Sequence, residues 1–409
     1  MTKPTAVILA AGASSRFFPL NEQHKGYVTV CGKSLIGQTI LDLLAHDFQN
    51  IVVVVGATDP EALELRRLLD KDGVTAEIKI ATQEKPTGAA GAIQAAQPFI
   101  QGPFVITSPY YPQAGKWAEE LWEVYQESEA QGVLLASEVS YPSLYGILRY
   151  EGNRVLELVE KPTKGTEPSN LRVRSIYLFH QDLFKYLDEA PESEYSFEAA
   201  YSQMAQDNII TFKKTSDTDT TLKYPWHLLE LKDSILDSRV SYTSPDSSIA
   251  ETAILDDSDG AIIIESGARV GDFAKIVGPA FIGRNVWVGD YAFVRHSSLE
   301  MDSVVGAKTE VVRSLILEES SIHFAYLADS ILGVGTTVGA GFISANKRFD
   351  RRSILVTVKG EKVDSHRKAL GIITGKNVQL GIQSGSMPGS VLKSELIIEP
   401  GQHINGTLS

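Results

Sequence analysis

The sequence predicts two architectures in series: an α/β domain with a mostly parallel sheet, then a parallel β-helix built of hexapeptide repeats. Two periods in the 409-residue chain carry that reading. Through the first half, short β-rich runs alternate with segments long enough for helices. After about residue 240, an aliphatic residue returns every six positions. Composition agrees: 43% apolar and 22% charged residues suit an ordinary globular protein, and the length suffices for two or three domains.

In the first half, residues 6–9, 51–55, 76–80 and 104–107 read as strands, and residues 34–47, 60–70 and 88–97 as helices between them. That rhythm means βαβ units with helices on both faces of the sheet. Ligands on such sheets bind at the carboxyl ends of the strands, so the loops after Leu9, Ile80 and Thr107 are the places to search.

In the second half, Ile264, Val270, Ile276, Ile282, Val288 and Val294 make five consecutive six-residue steps. The period resumes at Leu299, Val305 and Val311, again at Leu332 and Val338, and is read to continue at Val391 and Ile397. One aliphatic residue per hexapeptide points inward and stacks along a solenoid, while glycines such as Gly271, Gly283 and Gly289 let the chain turn. A β-sandwich with regular strands is the competing architecture. The break between residues 340 and 370, with Lys347-Arg-Phe-Asp-Arg-Arg352, reads as a projecting loop. Ser and Pro interrupt both periods near residues 237–245, which divides the chain into domains 1–238 and 239–409.

A net charge of −13 argues against a duplex nucleic-acid partner or a basic membrane surface. No apolar run approaches the roughly 18 residues of a membrane span. Residues 5–13 imitate a short signal core but break into Ser14-Ser15-Arg16. One cysteine, Cys31, cannot make an internal disulfide or a multi-Cys metal site. A cytoplasmic location follows as the expectation.

The first strand runs into Ala10, Ala11, Gly12 and Arg16, with Lys25 beyond. Small residues after a strand let backbone N–H groups approach phosphate, and Arg16 and Lys25 add charge. In context, Leu9-Ala-Ala-Gly-Ala-Ser-Ser-Arg-Phe-Phe-Pro-Leu20, then His24-Lys25, then Val30-Cys-Gly-Lys-Ser-Leu-Ile36 resembles the signature of the sugar-1-phosphate nucleotidylyltransferases. Gln83-Glu-Lys-Pro-Thr-Gly88 resembles that family's base-reading loop. Tyr145-Gly146, Val159-Glu160-Lys161-Pro162 and Ser169-Asn170 resemble its sugar-binding stretch. The resemblance implies a Rossmann-like nucleotidyltransferase domain that joins a hexose- or N-acetylhexosamine-1-phosphate to UTP or dTTP. Arg16 and Lys25 would hold the triphosphate, Gln83 and Gly88 the base, Glu160 the sugar hydroxyls and Lys161 the sugar phosphate.

The second half resembles the left-handed β-helix of bifunctional sugar-1-phosphate nucleotidylyltransferase/acetyltransferases, the archaeal type in particular. His323-Phe-Ala-Tyr326-Leu-Ala-Asp-Ser330 and Gly339-Ala-Gly341 through Asn346 and Arg352 carry that likeness. It implies acetyl-CoA as a co-substrate, His323 as the base that takes a proton from a sugar amine, and Tyr326, Asn346 and Arg352 in the acyl site. It also implies a homo-oligomer, a trimer by preference.

One expected feature is missing. The family holds Mg²⁺ with two carboxylates, one in a Gly-Asp after the strand matching residues 104–107. Here the strand leads into Ser108-Pro-Tyr-Tyr-Pro112, with no Asp or Glu between Lys85 and Ala118. The second carboxylate follows a Pro-Trp, and here His227 follows Pro225-Trp226. Mg²⁺ prefers oxygen ligands. Asp217, Asp219 and Glu198 are the carboxylates that could reach in, and His227 would suit Mn²⁺.

Overall fold

Alternating β-branched runs and amphipathic segments fold as the two periods require. The computed structural model describes residues 2–57, 61–193, 195–217 and 221–409. Two compact units divide the chain, one of residues 1–13 and 34–219, the other of residues 14–33 and 220–409.

The first unit is built on a nine-stranded sheet. Its order is Ile78–Gln83, Ile51–Gly56, Thr5–Leu9, Phe104–Thr107, Leu171–Phe179, Gly132–Glu138, Ile210–Lys214, Arg154–Glu160 and Gly146–Glu151. The four strands expected from the sequence are mutually parallel. Leu171–Phe179 then enters antiparallel to both its neighbours, and a hairpin of Gly146–Glu151 with Arg154–Glu160 closes the far edge. Helices Leu35–Ala45, Glu61–Lys71 and Gly88–Ala96 lie where the sequence puts them. Val7, Val52, Val54, Ile106, Leu134 and Phe179 build one core of this unit with the helix Ser196–Asp207.

The second unit winds through three parallel sheets of nine, eight and eight strands, the architecture of a hexapeptide-repeat left-handed β-helix. Ile264, Ile282, Leu299, Ile316 and Leu332 stack in register on one sheet, and Val270, Val288, Val305, Ile322 and Val338 on the next. All are buried in one continuous core. Near the end the expected register is off by one. Leu392 and Ile398 point inward, whereas Ile397 is 63% exposed and Val391 lies on the outer face. Six-residue steps from Val338 across the inserted residues reach Leu380, Leu392 and Ile398, so the insert keeps the phase; the adjacent aliphatic pairs Val391-Leu392 and Ile397-Ile398 are what make the inward member ambiguous. That insert contains an antiparallel hairpin, Leu355–Val358 with Glu361–Asp364, which folds back so that Ile354 meets the coil at Gly389.

The nine-stranded solenoid sheet has an apolar outer row too: Ile263, Phe281, Leu315, Ile331, Ile373 and Val391 are all buried. Such a row needs cover. Helix His227–Asp237 supplies part of it by packing on Leu315–Ile316, and residues 31–32 supply more. Cys31 and Gly32 donate their N–H groups to the buried Glu300 carboxylate at 2.8 and 2.9 Å, and an added Cβ on Gly32 would lie 2.6 Å from the Phe281 ring. The compact units therefore do not follow the chain division near residue 238: residues 14–33 and the helix belong with the solenoid.

Candidate functional site

The loop after the first strand begins in the first unit. Ala10 donates its N–H to Val54 O at 2.8 Å, so that group belongs to the sheet and not to a phosphate. Ala11 and Gly12 follow, half-buried and exposed. In the second unit, Ser14 adopts a left-handed backbone and its hydroxyl accepts the Lys25 N–H at 3.0 Å. Arg16 is exposed. The Lys25 ammonium donates to Leu222 O at 2.7 Å, and Lys359, from the inserted hairpin, donates to Ser15 Oγ at 2.9 Å. Nothing local in the sequence ties Lys359 to Ser15.

Gln83 ends its strand and is buried. Its Nε2 donates to Gly88 O at 3.0 Å, where the helix Gly88–Ala96 starts. Gln83 and Gly88 thus meet. Thr87, Gly88, Gly91 and Gln94 line a cavity of about 530 Å³ at this helix start.

The expected sugar residues also converge. Gly146 pairs with Glu160 across the hairpin, and Lys161 donates its N–H to Tyr145 O at 3.0 Å. An added Cβ on Gly146 would lie 2.7 Å from Glu160 Oε2. Lys161 Nζ stands 3.5 Å from Glu160 Oε1 and 3.4 Å from the Tyr195 hydroxyl, whose hydrogen bond raises the lysine's pKa. Asn170 directs its carbonyl to Val139 N–H at 2.9 Å and sits one residue before the strand that crosses the hairpin. Tyr195 and Arg172, the latter 4.8 Å over the Tyr145 ring, join this group without having been singled out. Both come from distant segments.

The residues present do not suit Mg²⁺. Among the described residues no three His, Cys, Asp or Glu side chains gather. After Thr107 come the buried Tyr110 and Tyr111. Asp217 Oδ2 accepts from Lys116 Nζ at 2.5 Å and from the Trp117 indole at 2.8 Å. Glu198 lies beside Tyr177 and Tyr201, whose hydroxyl pKa values it helps to raise after burial. Asp219 lies outside the described residues. His227 is no ligand either. Its Nδ1 accepts from Lys223 N–H at 3.1 Å, so the proton resides on Nε2 and neither nitrogen offers a free lone pair. Burial lowers its pKa to about 4.

In the solenoid, His323 is exposed on the corner between Ser321–Ile322 and Ala325–Ala328. Asp329, 1% exposed, takes both Arg313 Nε and Nη2 at 2.8 Å and Asn346 Nδ2 at 2.6 Å. Burial, Glu310 and the nearby Asp329 raise the Tyr326 hydroxyl, so Tyr326 and Asn346 share one polar cluster with Arg313. Arg352 stands apart, its N–H on Asp350, which pairs with Arg348 at 2.6 Å.

Comparison with known proteins bears on the chain as a whole. Over 403 residues the chain is 30% identical to the bifunctional protein GlmU of Methanococcus maripaludis, covering 96% of this chain and 92% of that one. It is 28% identical over 407 residues to the bifunctional sugar-1-phosphate nucleotidylyltransferase/acetyltransferase of Sulfurisphaera tokodaii, covering 98% and 97%. The structure of a UDP-glucose pyrophosphorylase complexed with UDP-glucose superposes with a TM-score of 0.51 over 58% of this chain and all of that one. At 20% identity that likeness speaks for the fold alone. The family model for nucleotidyl transferases matches residues 5–219, just over half of the sequence, and the chain belongs to that family.

Proposed function

We propose that the chain is a sugar-1-phosphate nucleotidylyltransferase whose β-helix transfers acetyl groups. The observation that carries this is the convergence of Tyr145, Gly146, Glu160 and Lys161 on one hairpin end. In the reaction, an oxygen of the sugar phosphate attacks the α-phosphorus of UTP or dTTP. The bond to the bridging oxygen breaks, and pyrophosphate leaves with that electron pair. The attacking oxygen is already ionised at neutral pH, so no general base is needed. Lys161 holds the sugar phosphate, Glu160 the hydroxyls, Gln83 and Gly88 the base, and Arg16 and Lys25 the triphosphate, stabilising charge as it moves.

In the solenoid, His323 takes the proton of a sugar amine attacking the thioester carbonyl of acetyl-CoA, and coenzyme A leaves as thiol. Tyr326, Asn346 and Arg352 position the substrates, and a homotrimer places acyl sites between neighbouring copies. Residues 1–238 and 239–409 are the two functional halves of this scheme, and it operates in the cytoplasm.

The absent carboxylate pair favours a second reading: a metal-site-deficient relative that acts as an acetyltransferase or as a sugar-nucleotide-binding assembly subunit. Pyrophosphate release from UTP or dTTP with glucose-1-phosphate, measured with Mg²⁺, with Mn²⁺ and in EDTA, separates them. The first reading expects release that Lys161→Gln lowers at least about tenfold. No release under any condition, beside acetyl-CoA consumption abolished by His323→Ala, leaves the second.

A further inference from the structure

Strand Leu171–Phe179 carries two arginines at alternate positions, Arg172 and Arg174, which a strand places on one face. Its pairing with Gly132–Glu138 shifts between Val173 and Tyr177, an irregularity of the kind that re-aims side chains. Both Nε–H groups end on one acceptor: Ser137 Oγ lies 3.3 Å from Arg172 Nε and 3.2 Å from Arg174 Nε. Arg174 is 3% exposed, with its guanidinium 5.0 Å over the Trp117 ring and Nη2 bonded to Asp217 O.

Arg172 and Arg174 line a cavity of about 750 Å³ together with Ser137, Glu138 and residues 214–217. Its carboxylates are engaged by lysines: Glu138 pairs with Lys214 at 3.2 Å, and Asp217 with Lys116. Burial and then the neighbouring Arg172 charge lower Arg174 to about 10, so the second cation is felt, yet Arg174 stays charged at neutral pH. Ile176 pairs with Thr107, which sets Arg174 just beyond the carboxyl end of Phe104–Thr107. That is the sheet edge where the family resemblance expects a metal-binding carboxylate.

We infer that Arg172 and Arg174 form an oxyanion site that binds phosphate oxygens without a divalent cation. Arg172 meets the phosphate from the rim, and Arg174, whose Nε and Nη2 are held by Ser137 and Asp217 O, adds fixed positive charge behind it. Arg172 also lies over Tyr145, so the site adjoins the sugar group. The phosphate could be that of a sugar-1-phosphate or of pyrophosphate. The inference concerns binding and stands apart from turnover.

The test is isothermal titration of the full chain in EDTA, with pyrophosphate in one arm and glucose-1-phosphate in the other. At least one is expected to bind, and Arg172→Gln is expected to weaken that binding about tenfold or more. Arg174→Gln removes a buried side chain and threatens folding. Arg172 is half-buried at the rim, so its variant, with Tm as the check, carries the test alone if the other fails to fold. The arm that responds names the source of the phosphate. The inference is overturned if neither ligand binds until Mg²⁺ is restored, or if Arg172→Gln binds as tightly as the parent. Binding that depends on Arg172 in a protein without turnover would sink the proposed reaction and leave this site standing.

Discussion

Gly146 keeps the candidate sugar site open by lacking one carbon. Its missing Cβ would fall 2.7 Å from Glu160 Oε2 and 3.2 Å from a Leu158 methyl. The carboxylate is the end of a flexible chain and can swing away, so Gly146→Ala should fold. It should not leave Glu160 where sugar hydroxyls can be met. The expected result is an unchanged Tm with KM for the sugar phosphate raised about tenfold and kcat less affected, the signature of lost uniform binding. A parent-like KM would remove Glu160 from the site. His227 makes the opposite point. An imidazole beside a Pro-Trp reads naturally as a ligand, but whether a nitrogen is free depends on its hydrogen bonds, here from Lys223 N–H. Ala10 is the same case, because the Val54 carbonyl comes from a strand more than forty residues away.

At the scale of elements, periodic burial was legible in the sequence, and the inward member of two adjacent aliphatic residues was not. Each coil repeats the same inward position, so Ile264 through Val294 announce the solenoid by themselves. Across the insert carrying the hairpin Leu355–Val358 with Glu361–Asp364 the count holds, since ten six-residue steps from Val338 reach Ile398, but the neighbouring pairs Val391-Leu392 and Ile397-Ile398 each offer two aliphatic residues to the inward place. Adjacent alanine substitutions settle the register. Ile398, 4% exposed and in the core, should cost about 2–5 kcal/mol, and Ile397 within about 0.5 kcal/mol, in urea unfolding. Equal costs would refute the assigned phase. The parallel βαβ strands were equally readable, since each stands between helices of ordinary length. The antiparallel insertion of strand Leu171–Phe179 and the place of the hairpin Gly146–Glu160 in the sheet were not, because both follow from pairing partners distant in sequence. The site was readable as motifs, Gln83 with Gly88 and Glu160 with Lys161. Arg172, Arg174 and Tyr195 entered only through the fold, which brings them to the same sheet edge or hairpin.

At the scale of the folded chain, the same segments that cover the solenoid make its stability depend on pH. Burial, aided by Lys25, holds the His24 imidazole neutral, its pKa lowered to about 3. Burial likewise lowers His227 to about 4, with Arg367, Lys223 and Lys25 adding to the effect. His296 is shifted the same way, first by burial. Unfolded, each histidine titrates near 6.5, so between about 6.5 and 4 the unfolded chain binds protons that the folded one refuses. Their stabilisation is present above pH 6.5 and lost on acidification. Glu300 opposes them. Burial and then Glu318 raise its pKa to about 7, even though Ser298, Gly32 and Cys31 donate to it. The folded carboxyl thus keeps a proton that the unfolded one has released, which favours folding below about 4.5 and loses that advantage as pH rises through 7. At least two histidines against one carboxyl leave a net loss of stability on going from pH 6.5 toward 4.5, on the order of 1.4 kcal/mol per pH unit. Urea unfolding at about pH 6.5 and about pH 5 should show it. His227→Asn withdraws one of the protons, so the slope should fall by about 1.4 kcal/mol per pH unit. A variant with the parent's full slope would mean that His227 is charged in the folded protein, and the acceptor role of its Nδ1 toward Lys223 N–H would fall with it.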